Sequence, residues 1–181
     1  MTHEQAFYDL MELLVYPDAY GVVEMDLYRS AVLQPVSFEL FDNCKTVLML
    51  SSDAPTKAFL NWIENSKKTL ILLGPLHHGK NSNWRPLPDE VVKEGIEAIL
   101  NPDMHPMLIM CSYGVQETGA LIGCLRKLQG WNFNSIVLEY RSFAGSKARY
   151  IVEQFIELFD TDLIAVPKKI PRWFERCLAA S

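Results

Sequence analysis

The sequence predicts an α/β domain, a short and mainly parallel sheet flanked by helices, because strand and helix signals alternate along it. Three observations carry that prediction. Short β-branched and apolar runs recur at Lys45–Ser51, Thr69–Leu73 and His105–Met110, each of strand length and bounded by polar residues. Helical periods lie between them. The third run passes directly through a glycine-bearing turn into an apolar helix.

Taken in order, Lys45–Ser51 is the first buried strand. Asp53 and Pro55 then open a helix with Ala58, Phe59, Trp62 and Ile63 on one face. Thr69–Leu73 is the second strand. Gly74–Pro88, with His77, His78, Asn81, Ser82 and Asn83, has no apolar period and reads as a long surface loop. Pro88 starts another helix, with Asp89 and Glu90 in its first turn and Val92, Ile96, Ile99 and Leu100 inward. After the strand His105–Met110, residues Cys111–Gly119 lead into the helix Ala120–Leu128. Asn132 and Asn134 are candidate caps for a helix through Tyr140, and a last helix covers roughly Ala148–Phe159.

A chain of 181 residues with net charge −5 is read as one domain, 1–181, with 1–19 an N-terminal extension and 161–181 a basic, aromatic tail. With 49% apolar and 22% charged residues it has the composition of a globular protein. The acidic balance speaks against nucleic-acid binding, which needs a basic footprint. No run approaches the ~18 apolar residues of a membrane span, and Glu4, Asp9 and Glu12 exclude a signal peptide. Cys44, Cys111, Cys124 and Cys177 are widely spaced and read as reduced thiols, which points to the cytosol or nucleus and to a cytoplasmic protein first. His77-His78 has no recognisable third ligand, so no metal and no cofactor are expected.

The chemistry concentrates at Cys111-Ser112-Tyr113-Gly114-Val115-Gln116-Glu117-Thr118-Gly119. A tight turn from strand end to helix start directs backbone N–H groups inward, and the helix dipole adds positive potential. A cysteine at its first position is a candidate nucleophile, or simply a buried small thiol. The stretch is not a Walker A loop, since G-x-x-x-x-G-K-[ST] is absent, nor a nucleophile elbow, since G-x-S-x-G is absent.

HPMLIMCSYGVQETGALIGCLRKLQGW followed by EYRSFAGSKAR resembles the core of the plant-and-fungal atypical dual-specificity phosphatases, of the cysteine-based protein tyrosine phosphatase superfamily. That family includes inositol-pyrophosphate phosphatases and the oxidant-induced cell-cycle arrest proteins of yeasts, which implies a stress-response setting. Tyr20–Val23 and Leu27–Ser30 resemble its opening strands, and Leu87-Pro88-Asp89 the start of its next helix. The likeness spans about residues 20–160. The family signature, His-Cys, five residues, then Arg and Ser or Thr, puts Cys111 at the nucleophile and Thr118 at the hydroxyl position, with Gly114 and Gly119 fitting. Met110 stands in place of the histidine and Glu117 in place of the phosphate-clamping arginine. Tyr113, Val115 and Gln116 occupy positions that active members tend to make basic.

An arginine at position 117 would donate a bidentate pair to phosphoryl oxygens. Two unit charges ~4 Å apart are worth about 4 kcal/mol at an effective dielectric constant of ~20. Reversing one sign swings the energy by up to twice that, and even half the swing costs roughly three decades of rate. The resemblance therefore implies a phosphatase fold with an inverted phosphate site. Glu117 either accepts loop N–H groups or pairs with Arg141, Lys147 or Arg149, or it is a first-turn helix carboxylate. Asp89 is either a relic of the general acid or a helix-dipole residue, the second favoured; Asp103 reads as a turn residue. Arg141, Lys147 and Arg149 match basic residues that line the approach to the family's pocket, and are equally a solvated face.

The tail from Pro167, with Lys168, Lys169, Arg172, Arg176, Trp173 and Phe174, is a docking element or packs on its own domain. The expected function is a non-catalytic, phosphatase-like binding subunit whose partners include related phosphatase-family proteins, with weak phosphate or inositol-phosphate binding at most. The alternative is a residual enzyme acting on phosphotyrosine-type or inositol-pyrophosphate substrates through a phosphocysteine.

Overall fold

Apolar β-branched runs without a helical period form the strands, and the computed structural model, which describes residues 15–51, 53–74 and 85–180, arranges five of them in one sheet. In chain order these are β1 (Gly21–Glu24), β2 (Leu27–Ala31), β3 (Thr46–Met49), β4 (Thr69–Leu72) and β5 (Met107–Cys111). Their order across the sheet is β1-β2-β5-β3-β4. Only β1 runs antiparallel, to β2; the pairs β2–β5, β3–β5 and β3–β4 are parallel. The expected α/β class is what is found, and the two strands implied by resemblance are present at its edge. Most of the expected surface loop, including His77 and His78, lies outside the described residues.

The helices are α1 (Lys57–Asn65), α2 (Asp89–Ile99), α3 (Gln116–Leu128), α4 (Phe133–Ala144), α5 (Tyr150–Leu158) and α6 (Arg172–Ala180). α1 begins at Lys57 rather than Asp53 because the Thr56 side chain accepts a hydrogen bond from the Phe59 amide at 3.2 Å, which is N-cap geometry. Asp53 is thereby released for other work. Asn132 caps α4 as expected, its side chain accepting from the Asn134 amide at 2.9 Å, and the helix continues past Tyr140 to Ala144. α6 is the element that the pattern did not predict.

Period-two alternation divides the core between the two faces of the sheet. On one face Leu27, Ile109 and Cys111 pack with Val92, Ile96, Leu121, Ile136, Val152 and Phe174, which come from α2 to α6. On the other, Val47, Met49, Leu108 and Met110 pack with Phe59, Trp62 and Ile63 of α1 and with Phe41. Each fully buried Leu or Ile contributes about 1.5–3 kcal/mol of transfer free energy. The central strand β5 is buried along its whole length, and that holds Cys111, its last residue, at a fixed height beneath the turn.

Of the two readings of the C-terminal tail, packing is the one observed. Phe174 is 1% exposed in the core, and Ile170 and Trp173 lean on it. Lys169 pairs with Asp103 at 2.6 Å, while Arg172 and Arg176 remain exposed. Asp103 sits in the turn capped by the Asn101 side chain, as its sequence context implies.

Candidate active site: the turn from β5 to α3

β5 ends at Cys111 and α3 starts at Gln116, so four residues make the whole connection. It can close that tightly because Gly114 has φ +66° and because its α-carbon lies against β2. A β-carbon there would come within 2.5 Å of the Ala31 nitrogen and 2.6 Å of the Ser30 carbonyl carbon. Only glycine fits both requirements. Gly119, one turn into α3, is needed for a different reason: a side chain would meet the Tyr140 ring at 2.7 Å.

Cys111 is fully buried. Burial first, and the nearby Glu117 charge second, push its thiol above the usual range. The Thr118 hydroxyl and amide pull the other way; the hydroxyl oxygen is buried and has no hydrogen-bond partner among the described residues. The turn keeps the shape of an anion cradle, but its sulfur is held toward the neutral thiol.

Glu117 does not pair with the basic residues offered to it. Arg141 makes a two-bond ion pair with Glu153 of α5, Nε and Nη2 each at 2.7 Å from a carboxylate oxygen. The Lys147 ammonium sits 5.1 Å from the centroid of the Tyr113 ring, and the Lys147 carbonyl accepts from Gln116 Nε2 at 2.7 Å. The Arg149 amide donates to the Tyr140 hydroxyl at 3.0 Å, which in turn donates to Gln116 Oε1 at 2.9 Å. Of the alternatives for Glu117, the ion pair with Arg141, Lys147 or Arg149 is therefore not the one adopted. The α4–α5 junction uses its basic residues and Gln116 to fasten itself to the turn, and Glu117 is left facing Cys111.

Asp89 is not brought to the turn by any contact among the described residues. It occupies the first turn of α2, pairs with Arg85 and lines a shallow cleft with Phe155, Phe159 and Asp160. The carboxylate hydrogen-bonded to the turn is that of Asp53. Its Oδ2 accepts from Ser112 Oγ at 2.7 Å, and Ser51 Oγ lies 2.6 Å from the same hydroxyl. The Asp53 amide donates to Ser51 Oγ at 3.0 Å, which fixes the short segment. Sequence reading missed this group because Asp53 resembles a helix-start residue; the Ser-Ser-Asp run after a strand end was the available signal.

Tyr113, 68% exposed, forms a ridge between two clefts. One, of about 250 Å³, is apolar and lined by Leu33, Phe59 and Met110 with Asp53 at its rim. The other, of about 370 Å³, lies against Asp18, Phe143 and Lys147. Met110, standing where the signature has histidine, points into the apolar core on the α1 side and brings no proton-handling group. No set of three potential metal ligands lies together among the described residues.

Beneath the turn lies a residue that the sequence reading did not single out. Arg29 of β2 is 1% exposed, and its Nη2 donates to the Gly114 carbonyl at 2.8 Å. Its guanidinium carbon stands 3.8 Å from the centroid of the Phe143 ring.

Comparison with known proteins agrees with this geometry. The sequence pattern described as "Tyrosine phosphatase family" matches residues 14–177. The chain is 43% identical over 159 residues to a Dictyostelium discoideum protein named probable tyrosine-protein phosphatase DG1060, covering 87% of this chain and 94% of that one. It is 38% identical over 155 residues to the OCA1 protein of Mycosarcoma maydis, which bears a provisional tyrosine-protein phosphatase name, covering 84% and 97%. Among solved structures, the core catalytic domain of the PP-IP phosphatase SIW14 from S. cerevisiae, in complex with citrate, superposes with a TM-score of 0.75. It shares 34% identity with this chain, over 82% of it and 90% of the yeast domain.

Proposed function

The chain belongs to the tyrosine phosphatase family, and on that premise we propose that it is a phosphatase-fold protein that does not hydrolyse phosphate esters and serves as a binding subunit for proteins, related phosphatases among them. The observation that carries this reading is Glu117. At the signature arginine position it sets a carboxylate against Cys111 and, second to burial, pushes the thiol pKa up. The cysteine mechanism needs the thiolate as nucleophile and a cation on the phosphoryl oxygens. Here the first is disfavoured and the second is replaced by its opposite charge. What is left is a rigid turn with an exposed tyrosine between two clefts, which suits recognition better than turnover.

A second reading has one observation in its favour. The similarity to SIW14, whose name specifies a PP-IP phosphatase, includes 34% identity and covers 90% of that domain. A residual cysteine-dependent phosphatase acting on inositol pyrophosphates or phosphotyrosine-type esters is therefore the alternative.

One experiment separates them: turnover of an aryl phosphate and of an inositol pyrophosphate by the wild type, Cys111→Ser and Glu117→Arg. The non-catalytic reading expects the wild type to match Cys111→Ser on both substrates. Turnover by the wild type that Cys111→Ser abolishes overturns it. Glu117→Arg is expected to gain measurable activity if the remaining cradle is sound; failure to gain any assigns the loss jointly to Met110, Val115 and Gln116.

A further inference from the structure

At the end of the sheet opposite the turn, α6 presents two arginines that no carboxylate meets. β2 and β5 run parallel, so the residues just before them, Met25-Asp26 and His105, lie at the pole away from Cys111, where β5 ends. α6 reaches that pole: the Trp173 ring centroid is 6.3 Å from that of His105, and Phe174 is buried in the core. The packing leaves a cleft of about 290 Å³ with mainly apolar walls, from Met25, Pro102, Pro171 and Trp173, and with Arg172 and Arg176 beside them. Met25 is 76% exposed. His105 is already engaged, its Nε2 standing 2.7 Å from the Ile99 carbonyl oxygen. Arg85, Arg126 and Arg141 each pair with a carboxylate; among the described residues neither Arg172 nor Arg176 does, and both are exposed. They stand four residues apart on one helix, a spacing at which like charges repel. An anion between them would relieve that repulsion.

We propose that this cleft docks an acidic segment of a partner protein, with an apolar side chain of that segment seated against Met25 and Trp173 and its carboxylates on Arg172 and Arg176. Each half of the site selects for one half of the occupant. The apolar walls discriminate against a free inorganic or inositol phosphate, which has no apolar surface to bury there. The two guanidiniums pair with carboxylates through parallel N–H donors and discriminate against a basic segment. Asp26, from the β1–β2 connection, also lines the cleft and repels a carboxylate placed there, so the acidic groups are directed to α6. An apolar centre with charged residues at its rim, and with Trp, Met and Arg among its members, is the ordinary anatomy of a protein interface. Of the aromatic and basic residues in the tail, Phe174 is used in packing; the cleft gives the two arginines a use. The five residues of β5, at about 3.3 Å each, separate this surface from the turn, so a partner docked here leaves the turn open. The proposal does not depend on whether Cys111 turns over substrate.

The test is a titration of the full chain, isotope-labelled at its methionine methyls for NMR, with three end-blocked peptides of sequence EELFEE, KKLFKK and EESSEE. Met25 lines this cleft and Met110 the cleft beside the turn, so their two signals report which one is occupied. EELFEE is expected to shift Met25 saturably and to leave Met110 in place. KKLFKK and EESSEE, which lack the charge and the apolar anchor respectively, are expected to bind at least about tenfold more weakly. Arg172→Glu combined with Arg176→Glu is expected to weaken EELFEE by about tenfold or more while melting like the wild type. If that double variant does not melt cooperatively, Arg172→Gln with Arg176→Gln replaces it, with a loss of about threefold or more expected. The proposal is overturned if EELFEE leaves Met25 unmoved, if either other peptide matches it, or if the arginine variant binds it as the wild type does. Sedimentation of the free chain covers the remaining occupant: a dimer that the arginine variant dissociates and that EELFEE does not enter assigns the cleft to a second copy and also overturns the proposal.

Discussion

Arg29 and Arg126 are both arginines buried in the body of the domain, 1% and 3% exposed, and their surroundings treat them in opposite ways. Arg126 of α3 has all five donors engaged. Nε and Nη2 meet Glu139, Nη1 meets Glu24 at 2.5 Å and Gln129 at 3.0 Å, and Nη2 also donates to the Val23 carbonyl at 2.8 Å. Its guanidinium carbon lies 4.2 Å from the Trp131 ring centroid. Despite desolvation, these carboxylates raise its pKa, whereas burial lowers that of Arg29. The first cluster closes on itself and clamps β1, α3 and α4 together. The second is left open on the side of the turn that carries Cys111. A fully satisfied buried charge is a structural device, and an under-satisfied one beside a cradle marks the place where the fold serves chemistry or binding.

The contrast can be broken most sharply at Arg126. Arg126→Ala leaves Glu24 and Glu139 facing a cavity without their cation, and about 3 kcal/mol or more of stability should be lost. For a chain of this length that lowers Tm by roughly 6–12 °C. Arg29→Met should cost less than about 1 kcal/mol, because it removes a poorly compensated charge instead of orphaning two others. Comparable melting losses for the two variants would remove the distinction between them.

Gly114→Ala sharpens the same contrast from the side of the turn. It places a β-carbon against the β2 backbone and forces an alanine into the left-handed region, at a cost of about 1–3 kcal/mol. Because Arg29 holds the carbonyl of that residue, combining Gly114→Ala with Arg29→Met should lower stability by less than the sum of the two single losses. Strictly additive losses in melting would place the turn and Arg29 in separate units.

The smallest effect belongs to an exposed pair that acts as a control. Glu97 is held below the ordinary carboxylate range mainly by hydrogen bonding to Lys93, and it also accepts from the Ala165 amide. A lowered folded pKa gives stability that is present above the unfolded value of about 4.3 and is lost as pH falls through the folded value. Glu97→Gln should therefore cost a few tenths of a kcal/mol at neutral pH, fading in acid and at high salt. A larger cost, or one that persists in acid, would show that surface pairs matter here as much as buried ones.

The pattern of the chain made the strands β3, β4 and β5 legible, because a buried parallel strand is a short apolar run whatever its neighbours. The turn at Cys111–Gly119 was legible for a similar reason: its nucleophile position, its glycines and its misplaced Glu117 are contiguous. α6 was not, because its short aromatic and basic stretch reads equally well as a free tail until Phe174 is seen in the core; Pro171 immediately before Arg172 was the helix-start signal available. Asp53 was assigned to a helix start from its local context, whereas the contact that defines it is with Ser112, 59 residues away.

By itself, then, the sequence determined the class of the fold, the position of the cysteine and the reversal of charge at residue 117. The first depends on periodicity, and the other two on contiguous residues read against the signature of the family that the chain resembles. Only the tertiary structure decided what surrounds that cysteine. It sent Arg141 to Glu153, joined Asp53 to Ser112 and set Arg29 beneath Gly114, 85 residues away in sequence. Contacts depend on distance through space, and sheet order brings β2 beside β5, so the guanidinium that holds the turn comes from a strand that no local pattern connects to it.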